Sequence, residues 1–217
     1  MILDVLFPNR CLSCNRIIDA DLLVCNLCFD QIHFTHFNYF GENGLKEKCK
    51  LLFPVEYAHA LMRFEKENLS RKIIHDLKYR NREKAGKIIA EWITEYLDFK
   101  EEKPDLFVSV PLHPKKQKER GYNQLHLFTE TLSKFYSIPF DHSLIQRNHY
   151  SKAQALKDKK HRMEAKNNFS LTKNISGKHI LLIDDVFTTG NTLATIAWEI
   201  LKTEGNRVSV LVMAMDE

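Results

Sequence analysis

The segment from residue 180 to residue 192 reads ILLIDDVFTTGNT and contains a strand pattern, a pair of carboxylates and a turn that leads into a helix. Its four leading apolar residues predict a strand that is buried on both faces, as in a parallel sheet. Two carboxylates, Asp184 and Asp185, follow this strand, and a Thr-rich turn then leads into a run with helical spacing. A buried strand that passes through a short turn into a helix predicts an α/β protein with its ligand at the carboxyl ends of the strands.

The order of residues in this segment also predicts the chemistry of the ligand. Backbone N–H groups at a helix start, together with Thr hydroxyls, form a cradle for a phosphate, and Gly190 would let the backbone approach it closely. The adjacent carboxylates can accept hydrogen bonds from vicinal hydroxyls or hold Mg²⁺. We therefore predict a polyol phosphate ligand. The alternative is an ordinary strand–turn–helix unit with a capped helix, but the ordered motif in its context favours a ligand site.

The rest of the chain alternates between strand patterns and helix patterns. Apolar runs predict strands, and apolar residues at helical spacing predict helices. The predicted strands are residues 55–64, 106–110, 180–183 and 207–215, and the predicted helices are residues 71–78, 85–97, 123–135 and 192–203. Ser70 is the predicted N-cap of the first helix, and Gly205 is the predicted C′ residue of the last. We expect a doubly wound, mostly parallel sheet in a domain of residues 55–217.

Cysteine spacing predicts a separate module before this domain. Two C-x2-C pairs lie near the start of the chain: Cys11, Cys14, Cys25 and Cys28. Each pair can turn two thiolates toward one metal ion, so we predict a structural Zn²⁺ site with no open position. Buried free thiols or a redox pair are the alternatives, and the fifth cysteine, Cys49, is expected to be inert. Residues 1–54 would form this zinc module, because their own core is too small without a metal.

Charge and hydropathy exclude several classes of protein. The 217 residues contain 32 Lys and Arg against 28 Asp and Glu, a net charge of +4. This mild excess permits an anionic ligand without demanding nucleic acid. No apolar run approaches the roughly 18 residues of a membrane span, and the first residues lack the basic region of a signal peptide. We therefore expect a cytoplasmic protein.

Residues 180–192 resemble the phosphoribosyl pyrophosphate fingerprint of type I phosphoribosyltransferases. In that family the helix-start loop holds the 5′-phosphate, and the acidic pair binds the ribose hydroxyls. The resemblance implies that Asp184 and Asp185 bind ribose, with Mg²⁺ accompanying phosphoribosyl pyrophosphate. It also implies five phosphate-binding residues: Thr188, Thr189, Gly190, Asn191 and Thr192. Thr188 stands where the purine-salvage branch carries an Asp that faces the base, and this departure argues against purine salvage.

The chain also resembles, nearly end to end, the ComF family of competence proteins, which join a four-cysteine knuckle to a phosphoribosyltransferase-like domain. Three motifs carry the resemblance: I-x-x-L-K-[YF] at residues 74–79, V-P-L-H at residues 110–113 and R-G-[FY]-N-Q at residues 120–124. Arg147 and Arg162 fall where the family carries basic residues ahead of the fingerprint. The resemblance implies a role in DNA uptake during natural transformation, with other competence proteins as partners.

Two basic segments adjoin the predicted site. Residues 111–121 follow a strand at the same sheet edge as the acidic pair, and we predict a loop there that reaches a pyrophosphate with Lys115 and Arg120. Residues 147–166 carry seven basic residues against two acidic ones, which predicts a mobile lid over a polyanion that includes Arg147 and Arg162.

Two functions from different classes remain open at this point. The first is an enzyme that transfers phosphoribose from phosphoribosyl pyrophosphate, with Mg²⁺, to an unidentified acceptor. The second is a noncatalytic competence adaptor, in which the same pocket binds a phosphoribosyl group or the end of a DNA strand and the zinc module docks partners. The alternative to a lid at residues 147–166 is a patch for single-stranded nucleic acid, with Tyr150 as a stacking candidate.

Overall fold

A computed structural model describes residues 8–65, 67–79, 83–100, 102–148 and 169–216 of the chain. Arg162 and nearly all of the predicted lid lie outside these residues. The helices are α1 (Asn26–Phe29), α2 (Gly44–Lys50), α3 (Leu69–Tyr79), α4 (Glu83–Tyr96), α5 (Pro114–Arg120), α6 (Leu125–Tyr136) and α7 (Asn191–Leu201). The strands are β1 (Ala58–Phe64), β2 (Leu106–Ser109), β3 (Ile145–Arg147), β4 (Phe169–Leu171), β5 (His179–Phe187) and β6 (Arg207–Asp216).

Four strands form a parallel sheet in the order β1-β6-β5-β2. Val210 of β6 pairs with Ala58 of β1 on one side and with Leu182 of β5 on the other. Both central strands are almost continuously buried, because helices cover parallel sheets on their faces. The predicted parallel α/β fold is confirmed. Strands β3 and β4 form a separate antiparallel pair.

The helices pack in two groups around this sheet. Helices α3, α4 and α6 form one group, in which α4 contacts both of the others and α6 reaches β2 and β5. Helix α7 packs on β5 and β6 and also contacts β4. Large aromatic side chains such as Phe107 and Phe128 are fully buried between these layers. Within the described ranges, no helix has the length and apolar character needed to cross a membrane.

The N-terminal segment packs directly on the sheet domain. Phe34 forms an antiparallel bridge with Met62 of β1, which extends the sheet at that edge. The ring of Phe34 also stacks on Tyr96 of α4 at 5.0 Å between centroids, and Phe29 meets Trp92 edge-on at 5.2 Å. The buried cysteines therefore join the same hydrophobic core as the sheet. A domain boundary after residue 54 stays a prediction.

Strand β5 and helix α3 differ from their predicted bounds. Strand β5 runs to Phe187, because its ladder with β6 continues as far as the pair between Phe187 and Met215. Asp184 and Asp185 therefore lie inside the strand, not after it. Helix α3 begins at Leu69, so Ser70 is a buried helical residue and the predicted N-cap is wrong.

Helices α5 and α7 also differ from the prediction. Residues 111–121, predicted as a loop, contain helix α5. Pro114 starts this helix with its fixed φ, and Gly121 ends it at φ +78°. Helix α7 ends at Leu201, so Gly205 lies beyond the C′ position predicted for it.

Candidate functional site

The acidic pair lies near the carboxyl end of β5, where its two carboxylates have different surroundings. Asp185 is 8% exposed, and its Oδ2 accepts a hydrogen bond from Nε2 of Gln124 at 2.6 Å. The same oxygen lies 3.0 Å from Nζ of Lys78. Asp184 accepts a hydrogen bond from the backbone N–H of Asp185 at 2.8 Å. Burial, and then repulsion from the Asp185 carboxylate, raise the pKa of Asp184.

A cavity of about 160 Å³ opens beside this pair. Five predicted site residues line it: Arg120, Arg147, Asp184, Asp185 and Thr192. Lys78, Lys116, His113 and Gln124 also line it. Among the described residues, four basic and two acidic side chains line its wall, which suits an anionic ligand that carries hydroxyl groups.

Other predicted site residues lie outside the wall of this cavity. Lys115 points away from it, with a side chain that is 79% exposed and an Nζ 4.0 Å from Oε1 of Glu119. Thr188, Thr189 and Asn191 are exposed beside the start of α7, whereas Gly190 is buried. Their predicted roles remain predictions.

A second cavity of about 480 Å³ lies between the cysteine segment and α3. It is lined by Leu12, Glu67, Asn68, Arg71, Lys72, His75 and Asp76. Although it is larger, it contains neither the acidic pair nor the start of α7. We therefore take the smaller cavity as the candidate ligand site.

Three separate sequence motifs meet at Asp185. Lys78 comes from the motif at residues 74–79, and Gln124 comes from the motif at residues 120–124. Nη1 of Arg120 donates to Oε1 of Gln124 at 2.8 Å, while Nε2 of Gln124 donates to Asp185. Lys78 and Gln124 were not among the predicted site residues. Their place in family motifs was the one signal for them, because no local spacing indicates that they reach β5.

Three hydrogen bonds fix the segment after β2: one to β5, one from Asn123 and one that caps α5. The backbone N–H of Val110 donates to the carbonyl of Ile183, and Nδ2 of Asn123 donates to the carbonyl of Val110 at 3.2 Å. His113 caps α5 by accepting a hydrogen bond from the backbone N–H of Lys115 at its Nδ1. These contacts hold residues 110–113 against the acidic pair.

The turn before α7 rests on the N-terminal segment. Gly190 has φ +71°, and a Cβ at this position would lie 2.5 Å from Cδ1 of Leu52 and 2.7 Å from Cζ of Phe187. Nε1 of Trp198 donates to the carbonyl of Leu52 at 2.9 Å. Glycine is therefore required by protein packing and backbone conformation, not only by the close approach of a ligand.

The start of α7 offers backbone donors for an anion. No side chain within the described ranges caps the helix start at Gly190. The first helical hydrogen bond runs from the backbone N–H of Ala194 to the carbonyl of Gly190 at 2.8 Å. The N–H groups that precede Ala194 in the first turn have no carbonyl four residues back in the helix. Together with the positive end of the helix dipole, they suit a phosphate.

The four cysteines of the C-x2-C pairs come together at one point. Their sulfur atoms all lie within 4.8 Å of one another, and Sγ of Cys14 lies 3.7 Å from Sγ of Cys25. Tetrahedral Zn²⁺ with Zn–S bonds of about 2.3 Å requires sulfur separations of about 3.8 Å. In the part of the chain that the structure describes, this is the one cluster of three or more such ligands. The cluster therefore fits Zn²⁺.

Backbone donors in the knuckle favour the thiolate form of one of its four cysteines, Cys11. Burial raises the pKa of Cys11, but backbone hydrogen bonds from Cys14, Cys25 and Ser13 outweigh it, and the pKa falls to about 6. Cys49 lies outside the cluster in the core, and burial raises its pKa to about 12. Cys49 is therefore protonated at neutral pH, as expected for an inert thiol.

Comparisons with known proteins agree with both parts of this architecture. A family model described as a double zinc ribbon domain matches residues 2–39, and one described as a phosphoribosyl transferase domain matches residues 123–215. The chain is 31% identical over 144 residues to the DNA utilization protein YhgH of Escherichia coli, covering 64% of this chain and 63% of that protein.

Two competence proteins are also similar to this chain. Identity is 38% over 98 residues with Competence protein F of Haemophilus influenzae, covering 43% of each chain. It is 41% over 90 residues with Competence protein ComFC of Bacillus subtilis, covering 41% of this chain and 35% of that protein. The matched region thus spans less than two thirds of each relative. The expected similarity to competence proteins is therefore confirmed, and the chain matches a double zinc ribbon domain followed by a phosphoribosyl transferase domain.

Proposed function

We propose that this protein binds a ribose phosphate, in particular phosphoribosyl pyrophosphate with Mg²⁺, in the cavity at the end of β5. The observation that carries the proposal is the meeting of Asp184 and Asp185 with Arg120, Arg147 and the start of α7 in one cavity. Vicinal hydroxyls need acceptors, and phosphates need cations and N–H donors. The wall of the cavity contains both kinds of group.

Each group has a distinct task in this proposal. Asp184 and Asp185 accept hydrogen bonds from the ribose hydroxyls, and the start of α7 with Thr192 donates to the 5′-phosphate. Arg120 and Arg147, which also line the cavity, balance the charge of the pyrophosphate. Mg²⁺, when bound, would be held by carboxylate and phosphate oxygens and would neutralise further charge on the pyrophosphate.

This arrangement also suits transfer of the phosphoribosyl group. Transfer breaks the bond between C1′ and the pyrophosphate oxygen as an acceptor atom bonds to C1′. The cations at the pyrophosphate end would stabilise the negative charge that develops on the leaving group. The acceptor stays unassigned, because no described motif fixes a pocket for it.

The biological setting follows from the named relatives. Proteins called DNA utilization protein YhgH and Competence protein F are similar to this chain. We accordingly place the protein in the cytoplasmic handling of incoming DNA, with single-stranded DNA and other competence proteins as partners. In that setting, ribose phosphate binding would either take part in the handling of DNA or signal its state.

Calorimetric titration with phosphoribosyl pyrophosphate and Mg²⁺ tests the proposal. The wild-type protein should bind, and the double variant Asp184→Asn with Asp185→Asn should bind on the order of a hundredfold more weakly. Hydrogen bonds to charged groups contribute about 1.5–3 kcal/mol each, and about 1.4 kcal/mol is a factor of ten in affinity. Circular dichroism checks that the variant is folded.

A second double variant controls for the loss of two negative charges. Glu91→Gln with Glu95→Gln changes two exposed carboxylates on α4 and should leave affinity within about twofold of wild type. The ribose phosphate proposal is wrong if the wild type binds no phosphoribosyl compound. If it nevertheless binds single-stranded oligonucleotides, the noncatalytic adaptor is the better description. Equal binding by wild type and the Asp184/Asp185 variant would place the ligand elsewhere.

A further inference from the structure

Lys78 is a cation of the cavity that the proposed ligand roles leave unused. Its Nζ lies 3.0 Å from Oδ2 of Asp185, and the two side chains are 23% and 12% exposed. This pair is therefore shielded from bulk water, unlike the exposed pair of Lys115 and Glu119 on α5. Shielding makes its charge interaction stronger than that of a surface ion pair.

The fold places Lys78 at the acidic pair without help from a ligand. Lys78 lies in the last turn of α3. The hydroxyl of Tyr122 donates to the carbonyl of Leu77 at 2.7 Å, which ties this turn to the motif at residues 120–124. Gln124 of the same motif donates to the same oxygen of Asp185 at 2.6 Å. Both partners of the ion pair are thus fixed by the protein.

This placement matters because an anionic ligand must approach two adjacent carboxylates. Like charges raise the free energy of the bound ligand unless a cation lies between or beside them. Many carboxylate pairs meet this need with a divalent ion. Here a lysine ammonium, a compact and strongly hydrated charge, already lies at Asp185.

We propose that Lys78 is the resident cation of the ribose subsite. It lets a ribose 5-phosphate bind beside Asp184 and Asp185 without a divalent ion, so that Mg²⁺ is needed only for the pyrophosphate part of a larger ligand. The inference rests on the proposed function, because it assigns a specificity-determining residue to the same cavity. It predicts two different metal dependences for two ligands in one site.

The test measures the affinity of ribose 5-phosphate and of phosphoribosyl pyrophosphate in EDTA and in Mg²⁺. For the wild type, affinity for ribose 5-phosphate should differ by less than about twofold between the two conditions, whereas phosphoribosyl pyrophosphate should bind at least about tenfold better with Mg²⁺. Lys78→Met should weaken ribose 5-phosphate binding about tenfold or more in EDTA, and Mg²⁺ should restore most of it. Lys78→Arg, which keeps the charge, should stay independent of the metal.

A neighbouring lysine provides the matched control. Lys116 lines the same cavity but is exposed on α5. Lys116→Met removes the same charge, and it should weaken ribose 5-phosphate binding by a similar factor in EDTA and in Mg²⁺. Only Lys78→Met should create a metal dependence. A Mg²⁺ titration of the unliganded proteins adds a separate readout, in which Lys78→Met should bind Mg²⁺ more tightly than wild type.

Several outcomes would overturn the inference. A wild-type protein that needs Mg²⁺ by about tenfold or more to bind ribose 5-phosphate overturns it without any variant. Equal losses for Lys78→Met in both conditions also overturn it, and the proposed function then stands if phosphoribosyl pyrophosphate still binds. If the wild type binds neither ligand, the proposed function and the inference fall together. Thermal unfolding checks the fold of each variant. If Lys78→Met is unfolded, the metal dependence of ribose 5-phosphate binding by the wild type and by Lys78→Arg decides.

Discussion

At the scale of single residues, Cys25 tests the metal site. Its sulfur lies 3.7 Å from that of Cys14, a separation that matches two ligands of one tetrahedral ion. Cys25→Ser should reduce the zinc content from about one ion per chain to near zero, because a serine hydroxyl is a poor replacement for a thiolate. Elemental analysis of protein purified without chelators measures this.

Cys49 is the matched control for this experiment. It is fully buried and lies outside the cluster of four sulfurs. Cys49→Ser should therefore keep the zinc content of the wild type, although it can lower the free energy of unfolding by burying a hydroxyl. Wild-type protein without zinc would contradict the assignment of the site.

His59 should make the stability of the fold depend on pH. It is 1% exposed, and its Nδ1 donates to the carbonyl of Phe37 at 3.0 Å. Burial lowers its pKa to about 4, below the value of about 6.5 in an unfolded chain. The unfolded chain thus takes up the proton first, so the stabilisation is complete above about pH 6.5 and is lost as the pH falls toward 4.

Urea unfolding at pH 7 and at pH 4.5 measures this effect. Between these values the free energy of unfolding of the wild type should fall by about 2 kcal/mol more than that of His59→Gln, whose amide does not titrate. Loss of zinc at low pH affects both proteins, so their difference isolates His59. An identical pH dependence in the two proteins would show that His59 does not couple folding to protonation.

At the scale of elements, the turn between β5 and α7 depends on Gly190. Gly190→Ala should lower the free energy of unfolding by about 2–5 kcal/mol, from a strained backbone and from overpacking against Leu52 and Phe187. Gly177 has a similar φ of +62°, but a Cβ there would meet no atom within 4 Å. Gly177→Ala should therefore lower the free energy of unfolding by only about 1 kcal/mol.

Urea unfolding of both variants provides the comparison. The strain of a positive φ is common to the two glycines, so the difference between the variants reports the packing of the turn against Leu52 and Phe187. Phosphoribosyl pyrophosphate binding should also weaken for Gly190→Ala and stay unchanged for Gly177→Ala. Equal destabilisation by the two substitutions would mean that Leu52 and Phe187 move aside without cost.

The elements could be predicted from the sequence better than the contacts between them. Apolar runs predicted β5 and β6, because strands buried on both faces need apolar residues at every position. Helix α5 was missed even though Pro114 and Gly121 are a known start and end signal, because its seven residues have no apolar face to reveal a helical period.

The candidate site shows the same limit. Asp184 and Asp185 could be predicted because one segment contains the strand, the acidic pair and the helix start. Lys78 could not, because it reaches Asp185 only after α3 has packed on the sheet, and pairing across more than 100 positions of sequence leaves no local pattern. Local signals thus predict elements, and tertiary packing decides which side chains share a cavity.

At the scale of the whole molecule, the N-terminal segment packs against the turn beside the candidate site. Leu52 packs under Gly190, and its carbonyl accepts a hydrogen bond from Trp198 of α7. Leu52→Ala should loosen the turn before α7, so that amide hydrogen exchange at residues 188–193 becomes faster. Its neighbour Leu51 is 85% exposed, and Leu51→Ala should leave this exchange unchanged.

Mass spectrometry of deuterated peptides compares amide hydrogen exchange in Leu52→Ala and Leu51→Ala. Exchange in β6 serves as an internal reference, because it is buried along nearly its whole length and should stay protected in both variants. Unchanged protection of residues 188–193 in Leu52→Ala would mean that the turn is held by the sheet domain alone.

The place of β6 between β1 and β5 has a consequence for how the protein is made. On the ribosome, β1, β2 and β5 all emerge before β6, yet β1 has no parallel partner until residues 207–216 arrive. Until β6 arrives, β1 and β5 therefore each expose an unpaired apolar edge, which is a site prone to aggregation. The zinc knuckle, by contrast, has all four cysteines within the first 28 residues. The order of the elements thus lets the zinc module form early, whereas the sheet that carries the candidate cavity is complete only after β6 has paired.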